Sequence, residues 1–502
     1  MERGLLTPLK LLRRQVFVEV ARVAFDESDN INDAIEAIPY KITPGDKPLY
    51  RESIWRERAI CSERVRLSMG LSLRPEDMPV HITQGLHESD IADKYYEPPL
   101  MQVIPSACAA CPPNRYMVTD NCRGCVAHPC TEVCPKNAVS IVDGHSVIDQ
   151  NKCIKCGKCK SVCPYGAITH QTRPCASACG VKAIESDDLG RAHINNEKCV
   201  SCGMCMVSCP FGAIADKSQI FQLVRALRRG DEIIVALAPA HVGQFGDKAT
   251  AGKLKAALRL LGFKDVYEVA LGADMGAVTE AKHYVEEVAS GKLPFMLTSC
   301  CPSWAMLAKK YFPTTIENIS NALTPMVATA RTIKQKHPDS RVVFIGPCAA
   351  KKLEASRRTV RSDVDFVLTF EELSAIFEAR NIDVEEIECE EDMNDATGAG
   401  RGYAIAGGVA GAIEKCIHEY YPDVEVRIEH CESLEECSKM LMLAKLGKKN
   451  GCLIEGMGCP GGCVAGAGTN IPVNKATNMV KKVVENSADA VPPKELEEIQ
   501  LG

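Results

Sequence analysis

The densest feature of the sequence is a group of 16 cysteines between residues 108 and 209, most of them in C-x2-C spacings. The whole chain of 502 residues contains 27 cysteines. In a long chain without a recognisable secretory signal, cysteines at such short spacings predict metal ligation rather than a disulfide framework. We therefore expect this part of the chain to fold around metal.

Two stretches of this group repeat the spacing C-x2-C-x2-C-x3-C-P, which resembles that of bacterial ferredoxins. They are CIKCGKCKSVCP, with Cys153, Cys156, Cys159 and Cys163, and CVSCGMCMVSCP, with Cys199, Cys202, Cys205 and Cys209. In those ferredoxins the first three cysteines hold one 4Fe–4S cluster and the fourth reaches a second cluster. The other eight cysteines should then complete the partner clusters.

These eight cysteines complete the clusters in a nested order. CRGCVAHPCTEVCP directly precedes the first stretch, whereas CAAC and PCASACGVKAI lie on either side, so an outer ferredoxin-like unit is split by an inner one. The four predicted ligand sets are Cys122, Cys125, Cys130 and Cys163; Cys153, Cys156, Cys159 and Cys134; Cys108, Cys111, Cys175 and Cys209; and Cys199, Cys202, Cys205 and Cys179. No cysteine of the group is left over. The alternative is zinc binding by the C-x2-C pairs, which does not need the fourth Cys-Pro signature.

Composition and charge limit the classes of partner. Hydrophobic residues make up 46% of the chain, enough for a large core, and a net charge of −6 does not indicate nucleic-acid binding. No apolar run reaches about 18 residues, so we expect no membrane span and a cytoplasmic location.

The stretch QVFVEVARVAF follows Arg13 and Arg14 and superficially resembles a twin-arginine export signal. However, Glu19 and Arg22 interrupt the apolar run, and its apolar residues recur at helical spacing. These residues are Val16, Val20, Val23 and Ala24. We expect an amphipathic helix here rather than an export signal.

From about residue 216, helices and strands alternate. SQIFQLVRALRRG predicts a helix that stops at a glycine, and DEIIVALAPA, KLKAALRLLGF and VYEVAL predict a β–α–β unit. PFMLTSCC and RVVFIGPC are short apolar strands that end in cysteine, and the glycines of EGMGCPGGCVAGAG let the backbone approach a bulky cofactor. Because α/β sheets bind ligands beyond the carboxyl ends of their strands, we predict one site between two α/β lobes.

Three motifs of this region, TSCCPSW, GPCAAKKLE and EGMGCPGGCVAGAG, resemble in order and approximate spacing the cysteine signatures of the FeFe-hydrogenase catalytic domain. The resemblance covers about residues 216 to 472. It implies an H-cluster: a 4Fe–4S cubane joined through one cysteine to a two-iron unit with CO, cyanide and a bridging dithiolate. The cubane ligands that it implies are Cys301, Cys348, Cys459 and Cys463, of which Cys463 bridges to the two-iron unit.

The resemblance also assigns roles around the cofactor. Cys300 resembles the family's proton-shuttling thiol, and the unperturbed pKa of a cysteine, about 8.5, suits proton exchange near neutral pH. Lys351 matches the lysine that contacts a cyanide, Met457 matches a methionine near the two-iron unit, and the backbone at Ala238 and Pro239 matches the segment that lines the cofactor. Glu280, Ser320 and Glu354 match three positions of the proton relay. The alternatives are a merely buried cysteine, a solvated lysine, a core methionine and surface or capping residues.

The chain departs from the family at four positions. Ala240 stands where the best-studied members have serine, and Gly346 where methionine is common. The outer relay acid falls on His283, and the relay arginine falls near Glu287. These changes predict a divergent subgroup with altered rate or bias. Six cysteines, which we expect to be buried and without partners, are Cys61, Cys389, Cys416, Cys431, Cys437 and Cys452.

We therefore divide the chain into an N-terminal mostly helical region (1–104), a nested double ferredoxin-like domain of α+β type (105–215), an α/β catalytic domain with two lobes around a buried metal cofactor (216–475) and a C-terminal tail (476–502). The expected function is reversible reduction of protons to H2, with electrons relayed to and from ferredoxin and with maturation proteins that supply the two-iron unit. The alternatives are an iron–sulfur assembly factor without an H-cluster and a hydrogen sensor.

Overall fold

Helices make up the N-terminal part of the chain. The computed structural model describes residues 4–26, 30–91, 95–112, 114–357, 362–389, 391–393 and 396–498. Its first helices are α1 Pro8–Phe25, α2 Ile31–Ile42, α3 Ile54–Ser68 and α4 Leu86–Ser89. The side chain of Thr7 caps α1 by accepting a hydrogen bond from the Lys10 N–H (3.2 Å). The four apolar residues predicted to face the core from α1 are all buried, so this helix is amphipathic as expected.

Short strands and helices alternate in the cysteine-rich part. They are β1 Met101–Val103, β2 Arg115–Val118, α5 Pro129–Glu132, β3 Val139–Val142, β4 His145–Ile148, α6 Lys158–Val162, β5 Ile168–Gln171, α7 Pro174–Ser177, β6 Ile184–Ser186, β7 Ala192–Ile194, α8 Met204–Ser208 and β8 Ile214–Asp216. The strands pair antiparallel, β1 with β8, β2 with β5, β3 with β4 and β6 with β7. The β2–β5 pair thus lies, in sequence, between the two strands of the β1–β8 pair.

Parallel strands build two sheets in the remaining part. Its elements are α9 Ile220–Arg229, β9 Ile233–Leu237, α10 Ala251–Leu260, β10 Asp265–Glu268, α11 Val269–His283, β11 Met296–Leu297, α12 Pro302–Tyr311, α13 Pro325–Lys336, β12 Arg341–Gly346, α14 Ala350–Ser356, β13 Phe366–Thr369, α15 Phe370–Ala379, α16 Gly398–Gly402, α17 Gly408–Tyr420, β14 Arg427–Glu432, α18 Leu434–Lys445, β15 Cys452–Met457 and α19 Val473–Glu485. The strand orders are β10-β9-β12-β13 and β11-β15-β14. Every residue of β9 and β15 is buried, as expected of central parallel strands that are covered on both faces.

Two predicted strands are longer than the observed ones. In VYEVAL, β10 ends at Glu268 and α11 begins at Val269, so the second half of this stretch is helical. The Glu268 carboxylate pairs with the guanidinium of Arg401 (2.6 Å) in α16, and this buried ion pair holds the junction in place. In PFMLTSCC, only Met296 and Leu297 are in a strand, and the following residues leave the sheet to reach the cysteines.

The N-terminal helices are attached to the first parallel sheet. Helix α1 packs against α9 and α15, and Arg13 forms an ion pair with the buried Glu371 of α15. The Lys10 ammonium donates a hydrogen bond to the Thr469 carbonyl oxygen (2.7 Å), just beyond the glycine-rich motif. Within the described residues, no helix combines the length and the apolar character needed to cross a bilayer.

Trp304 joins α12 to the second sheet. Its ring is fully buried, and its indole N–H donates to the Thr298 carbonyl oxygen (3.0 Å). The ring lies so close to Gly456 of β15 that a Cβ atom there would stand 2.1 Å from Cδ2 of the indole. The missing side chain at Gly456 therefore lets α12 pack directly on β15, and this brings Cys301, the N-cap of α12, beside the end of that strand.

We predict that Gly456→Ala destabilises the protein by about 1–3 kcal/mol, because the added methyl group overpacks the contact with Trp304. The matched control is Gly411→Ala in α17, where an added Cβ meets no heavy atom within 4 Å. That substitution should be neutral or stabilising by about 0.5–1 kcal/mol, since alanine is the better helix former. Chemical denaturation measures both, and equal effects would contradict this account of Gly456.

Candidate metal-cofactor site

The carboxyl ends of four parallel strands meet around one cavity. Ala238 and Pro239 follow β9, the Cys300–Cys301 pair follows β11, Cys348 follows β12, and Met457 ends β15. The cavity has a volume of about 80 Å³, and its lining is mostly apolar. The sequence-based expectation of a site beyond the strand ends therefore agrees with where these side chains lie.

Six cysteines line this cavity. Five of them are Cys300, Cys301, Cys348, Cys459 and Cys463, and the sixth is Cys202 of the cysteine-rich part. Burial raises the pKa of Cys348 to about 11 and that of Cys463 to about 12, and the neighbouring thiols add to both shifts. The raised pKa values disfavour ionisation of these thiols at neutral pH, whereas a bound metal deprotonates the cysteines that ligate it. A cluster of thiols around a roomy apolar cavity thus fits a bulky iron–sulfur group.

The neighbours Cys300 and Cys301 have different surroundings. The Cys301 sulfur accepts a hydrogen bond from the Gly458 N–H (3.5 Å), on the glycine-rich motif that also carries Cys459 and Cys463. Cys300 is buried beside Glu280, and burial together with that carboxylate raises the pKa of Cys300 well above its usual value. The unperturbed value used for the sequence-based argument therefore does not hold, and Cys300 rests as a protonated thiol.

Glu280 is a buried carboxyl group on α11. Its Oε1 accepts hydrogen bonds from the Ser299 N–H (3.2 Å) and the Ser299 hydroxyl (3.3 Å). Burial raises the pKa of Glu280 to about 7, although hydrogen bonds from Ser320 and Ser299 act in the opposite direction. The structure therefore brings Ser320 and Glu280 together behind Cys300.

Lys351 extends from α14 toward the cavity. Its ammonium pairs with Glu354 (2.7 Å) and donates a hydrogen bond to the Cys300 carbonyl oxygen (3.3 Å). Burial disfavours its charge, but the Glu354 carboxylate outweighs burial and raises the pKa of Lys351. Lys351 is therefore a cation at the cavity wall rather than a solvated lysine. Glu354, which the resemblance places on the proton relay, forms an ion pair with Lys351.

At Gly346, where the family commonly has methionine, the ring of Phe344 fills the space that a side chain would take. Both residues lie in β12, and a Cβ atom on Gly346 would stand 2.6 Å from the Phe344 ring and 2.9 Å from the Ala238 Cβ. Phe344 also lines the cavity, as do Ala240 and Met457. A larger side chain at Gly346 would thus require the Phe344 ring to move.

The glycines of the third motif are explained by protein contacts. A Cβ on Gly462 would stand 2.5 Å from the Ala406 nitrogen, and one on Gly466 would stand 2.4 Å from the Pro347 carbonyl oxygen. Gly462 also has a positive φ of 86°, which favours glycine. These glycines hold the loop close to neighbouring backbone, whereas the sequence-based argument attributed them to the approach of a cofactor.

The outer relay positions lie at the end of α11. The chain continues from His283 into a π-helical turn, Tyr284–Ala289, a local irregularity that is frequent at functional sites. His283 is half-buried, and its Nδ1 has no hydrogen-bond partner among the described residues. Glu287 pairs with Lys292 (3.0 Å). His283 is thus less solvent-facing than a lone histidine on a charged helix would be.

All 16 cysteines of the central group are described, and eight of them line two small cavities. One cavity is lined by Cys108, Cys111, Cys175 and Cys209, and another by Cys122, Cys125, Cys130 and Cys163. Cys179 lies near Cys199, Cys202 and Cys205, because the charge of its thiolate helps to raise the pKa of each of these three thiols. Cys134, Cys153 and Cys159 belong to one apolar cluster. Cys156 is the exposed member of the group.

Sequence reasoning missed the place of three residues: Cys202 and Tyr403, which line the main cavity, and Ser299, which hydrogen-bonds to Glu280. Cys202, assigned to an accessory cluster, also lines this cavity, because Ser303 of α12 holds the neighbouring chain through a hydrogen bond from its hydroxyl to the Val200 carbonyl oxygen (3.3 Å). Ser299 was identifiable only as the residue before Cys300. Tyr403 was not recognised from the sequence, because it lies in a stretch of mostly small residues, GAGRGYAIAGG.

The six unassigned cysteines do not all match the expectation. Cys389 is exposed, because it follows the surface turn at Val384–Glu386, whereas the other five are buried. Cys431 and Cys437 are not isolated, since their sulfur atoms are 3.6 Å apart.

Three family models match parts of the chain. The model for the C-terminal domain of the iron-only hydrogenase large subunit matches residues 231–467, a 4Fe–4S binding domain matches residues 146–169, and the LdpA Fe–S cluster-binding domain matches residues 169–220. The fold and the cysteine sites thus define an iron–sulfur protein of the hydrogenase type.

Curated relatives extend these matches. Iron hydrogenase 1 of Clostridium pasteurianum is 30% identical over 66% of this chain and 67% of its own length. The periplasmic [Fe] hydrogenase large subunit of Nitratidesulfovibrio vulgaris is 30% identical over 64% of this chain and 85% of its own. A cytosolic Fe–S cluster assembly factor of Scheffersomyces stipitis is 29% identical over 24% of each chain. The chain belongs to the iron-only (FeFe) hydrogenase family.

The raised pKa of Glu280 predicts a pH dependence of stability. The folded protein retains a proton that the unfolded chain releases between about pH 4.5 and about pH 7, so stability is lost as the pH rises through this range, by about 3 kcal/mol. Glu280→Gln should remove this loss. Thermal unfolding between about pH 5 and about pH 8 measures it, with Glu287→Gln, on the following π-helical turn, as the control. Parallel profiles for wild type and Glu280→Gln would contradict the prediction.

Proposed function

We propose that this protein is a hydrogenase that catalyses 2H⁺ + 2e⁻ ⇌ H2 at an H-cluster. The observation that carries the proposal is that the five cysteines of the three motifs line one apolar cavity, with the Lys351 cation at its wall. Cys301, Cys348, Cys459 and Cys463 would hold the cubane, and Cys463 would bridge to the two-iron unit. When bound, that unit supplies the open iron position for proton reduction and H2 cleavage.

The residues of the chain itself would bind, shield and supply protons. Lys351, kept charged by Glu354, would donate a hydrogen bond to an anionic ligand of the cofactor, and Met457, Ala238 and Pro239 would exclude water from it. Cys300 would exchange protons with the site. The pKa of Glu280 is about 7, so this group can release and take up a proton near neutral pH.

Protons would pass between Cys300 and the protein surface through Glu280. Ser299 and Ser320 hydrogen-bond to Glu280, which supports a path in which hydroxyl groups bridge successive acids. The ion pair with Lys351 makes Glu354 a partner of the cation as well as a relay candidate. The outer route beyond Ser320 is part of the proposal, with His283 in place of an acid.

We predict that Cys300→Ser leaves cofactor assembly intact and lowers H2 turnover at least about a hundredfold, because the variant loses a proton-transfer group and no iron ligand. The matched control is Cys416→Ala, a buried thiol of the same apolar cluster, which should retain turnover. H2 evolution assays and infrared spectra of the matured proteins measure the two effects. Full activity in Cys300→Ser would refute the shuttle role, and loss of the CO and cyanide bands would make Cys300 an assembly residue.

Electrons would travel through four accessory 4Fe–4S clusters. The set Cys179, Cys199, Cys202 and Cys205 lies next to the main cavity, which Cys202 itself lines, and this supports its role as the last step before the H-cluster. The exposed Cys156 belongs to the inner unit, which supports entry of electrons from solvent-borne carriers there. Nested inner and outer units would connect these two points.

The proposal predicts about 22 iron atoms per fully matured chain, from four accessory clusters and a six-iron H-cluster. Iron and acid-labile sulfide analysis of protein matured anaerobically measures this number. A value near about 14 would mean that two accessory clusters do not form, and the outer ligand sets would have to be abandoned.

The inner unit carries a basic patch that we propose receives an acidic ferredoxin. Lys152, Lys155, Lys158 and Lys160 are all exposed beside Cys156. Between residues 108 and 215 the chain has eleven Lys and Arg against eight Asp and Glu, although the whole chain is acidic. The alternative is that these lysines only offset the charge of the clusters. Opposite charge speeds association and is screened by salt.

Reversal of Lys155 and Lys158 to Glu should raise the KM for reduced ferredoxin, with a smaller effect on a neutral dye, because only the protein donor is steered by charge. The matched control reverses Lys481 and Lys482, which are exposed on α19. Steady-state assays at low and moderate salt measure both donors. An equal response of the two donors would mean that the patch tunes the clusters rather than recruiting a partner.

Neither alternative, an iron–sulfur assembly factor or a hydrogen sensor, predicts the loss of H2 turnover expected for Cys300→Ser. The hydrogenase relatives match about two thirds of this chain, whereas the assembly factor matches 24% of it, which supports the enzyme. The cytoplasmic location and the dependence on maturation proteins are parts of the same proposal.

A further inference from the structure

Tyr403 presents a polar group to the main cavity that the proposed roles above do not use. The residue caps the C-terminus of α16 and is 5% exposed. It lines the cavity together with Cys300 and Met457, and it packs in the apolar cluster formed by α11, α17 and β15. Its hydroxyl has no hydrogen-bond partner among the described residues.

A buried hydroxyl without a partner is costly, and such groups in native proteins usually have a partner that the protein atoms alone do not reveal. The acids near Tyr403 are already engaged: Asp274 accepts hydrogen bonds from the Thr397 N–H and hydroxyl (2.8 and 2.6 Å), and Glu280 accepts from Ser299. Gly276 of α11 also lies near the hydroxyl, since a Cβ atom there would stand 3.8 Å from it, but glycine has no side chain to offer.

A second tyrosine of the same apolar cluster, Tyr284, has a hydroxyl with a hydrogen-bond partner in the protein. Tyr284 is 2% exposed, and its hydroxyl donates to the Gly451 carbonyl oxygen (2.9 Å). Tyr284 and Tyr403 therefore have similar burial and similar apolar neighbours, but only Tyr284 has a protein partner. The difference lies in the cavity, which Tyr403 lines and Tyr284 does not.

We propose that the Tyr403 hydroxyl donates a hydrogen bond to an acceptor atom of the group that fills the cavity. This inference rests on the proposed function and specifies it further, because the acceptor would be an anionic diatomic or thiolate ligand of the two-iron unit. A phenol is a suitable donor, since burial and the nearby Glu280 raise the pKa of Tyr403 far above its usual value and keep its proton in place. Tyr403 would thus be a second donor beside Lys351.

Tyr403→Phe tests the inference in two states of the full chain, with Tyr284→Phe as the matched control. In protein produced without the maturation proteins, Tyr403→Phe should leave the melting temperature unchanged or higher, since the hydroxyl has no protein partner to lose. Tyr284→Phe should lower it. In matured protein, Tyr403→Phe should shift the CO or cyanide infrared bands, and Tyr284→Phe should leave them at the wild-type positions.

Two results would overturn the inference. If Tyr403→Phe lowers the melting temperature of the unmatured protein as much as Tyr284→Phe does, the hydroxyl has a protein partner. If the infrared bands of matured Tyr403→Phe coincide with those of wild type, the hydroxyl does not contact the cofactor. Either result leaves the proposed function standing, whereas absence of the bands from wild type would refute the proposed function and this inference together.

Discussion

The burial of several thiols in one apolar cavity is the constraint on which the rest of the structure depends. Parallel strands deliver these cysteines from separate parts of the chain, because the carboxyl ends of β9, β11, β12 and β15 meet there. The close contacts that allow this meeting involve glycines, at Gly456 against Trp304 and at Gly466 against Pro347. Without a metal, burial disfavours ionisation of the thiols, so the fold creates a site whose chemistry only a metal group completes.

Charge is arranged around this cavity in two separate places. The Glu354 carboxylate keeps Lys351 charged. On α11, burial raises the pKa of Glu280 to about 7. The cation and the titrating acid both lie near Cys300, the former through a hydrogen bond to its carbonyl oxygen. A fixed positive charge and a titrating carboxyl group thus lie near Cys300 on different elements of the fold. In the proposed function, this separation would let the cation bind an anionic group while the carboxyl group exchanges protons.

The sequence predicted the parts of this arrangement that have short local signatures. The cysteine spacings identified residues that line the smaller cavities, and the resemblance of three motifs to a known family identified five cysteines that line the main one. The helical spacing at Val16 and Val20 predicted α1 correctly. The boundary between β10 and α11 was missed because Val269 and its neighbours suit a strand as well as a helix. The acid–base environment could not be read from the sequence, since the raised pKa values of Cys300 and Glu280 arise from burial by distant segments.

Other features depend on contacts between residues far apart in the chain. Phe344 accompanies the glycine at Gly346, Cys202 reaches the main cavity through the contact of Ser303 with Val200, and Tyr403 lies among small residues without a motif of its own. Each of these became apparent only from the packing of two sheets and the cysteine-rich part against one another. Their places at the main cavity follow from the fold rather than from a local sequence pattern.

Infrared spectroscopy of the matured wild-type chain tests the central claim most directly. The protein would be produced together with hydrogenase maturation proteins, and a hydrogenase of known activity would be matured in parallel as the positive control. The account predicts bands in the CO and cyanide stretching regions, together with H2 evolution. A chain with its full complement of accessory iron–sulfur clusters but without these bands, beside a control that shows them, would contradict it.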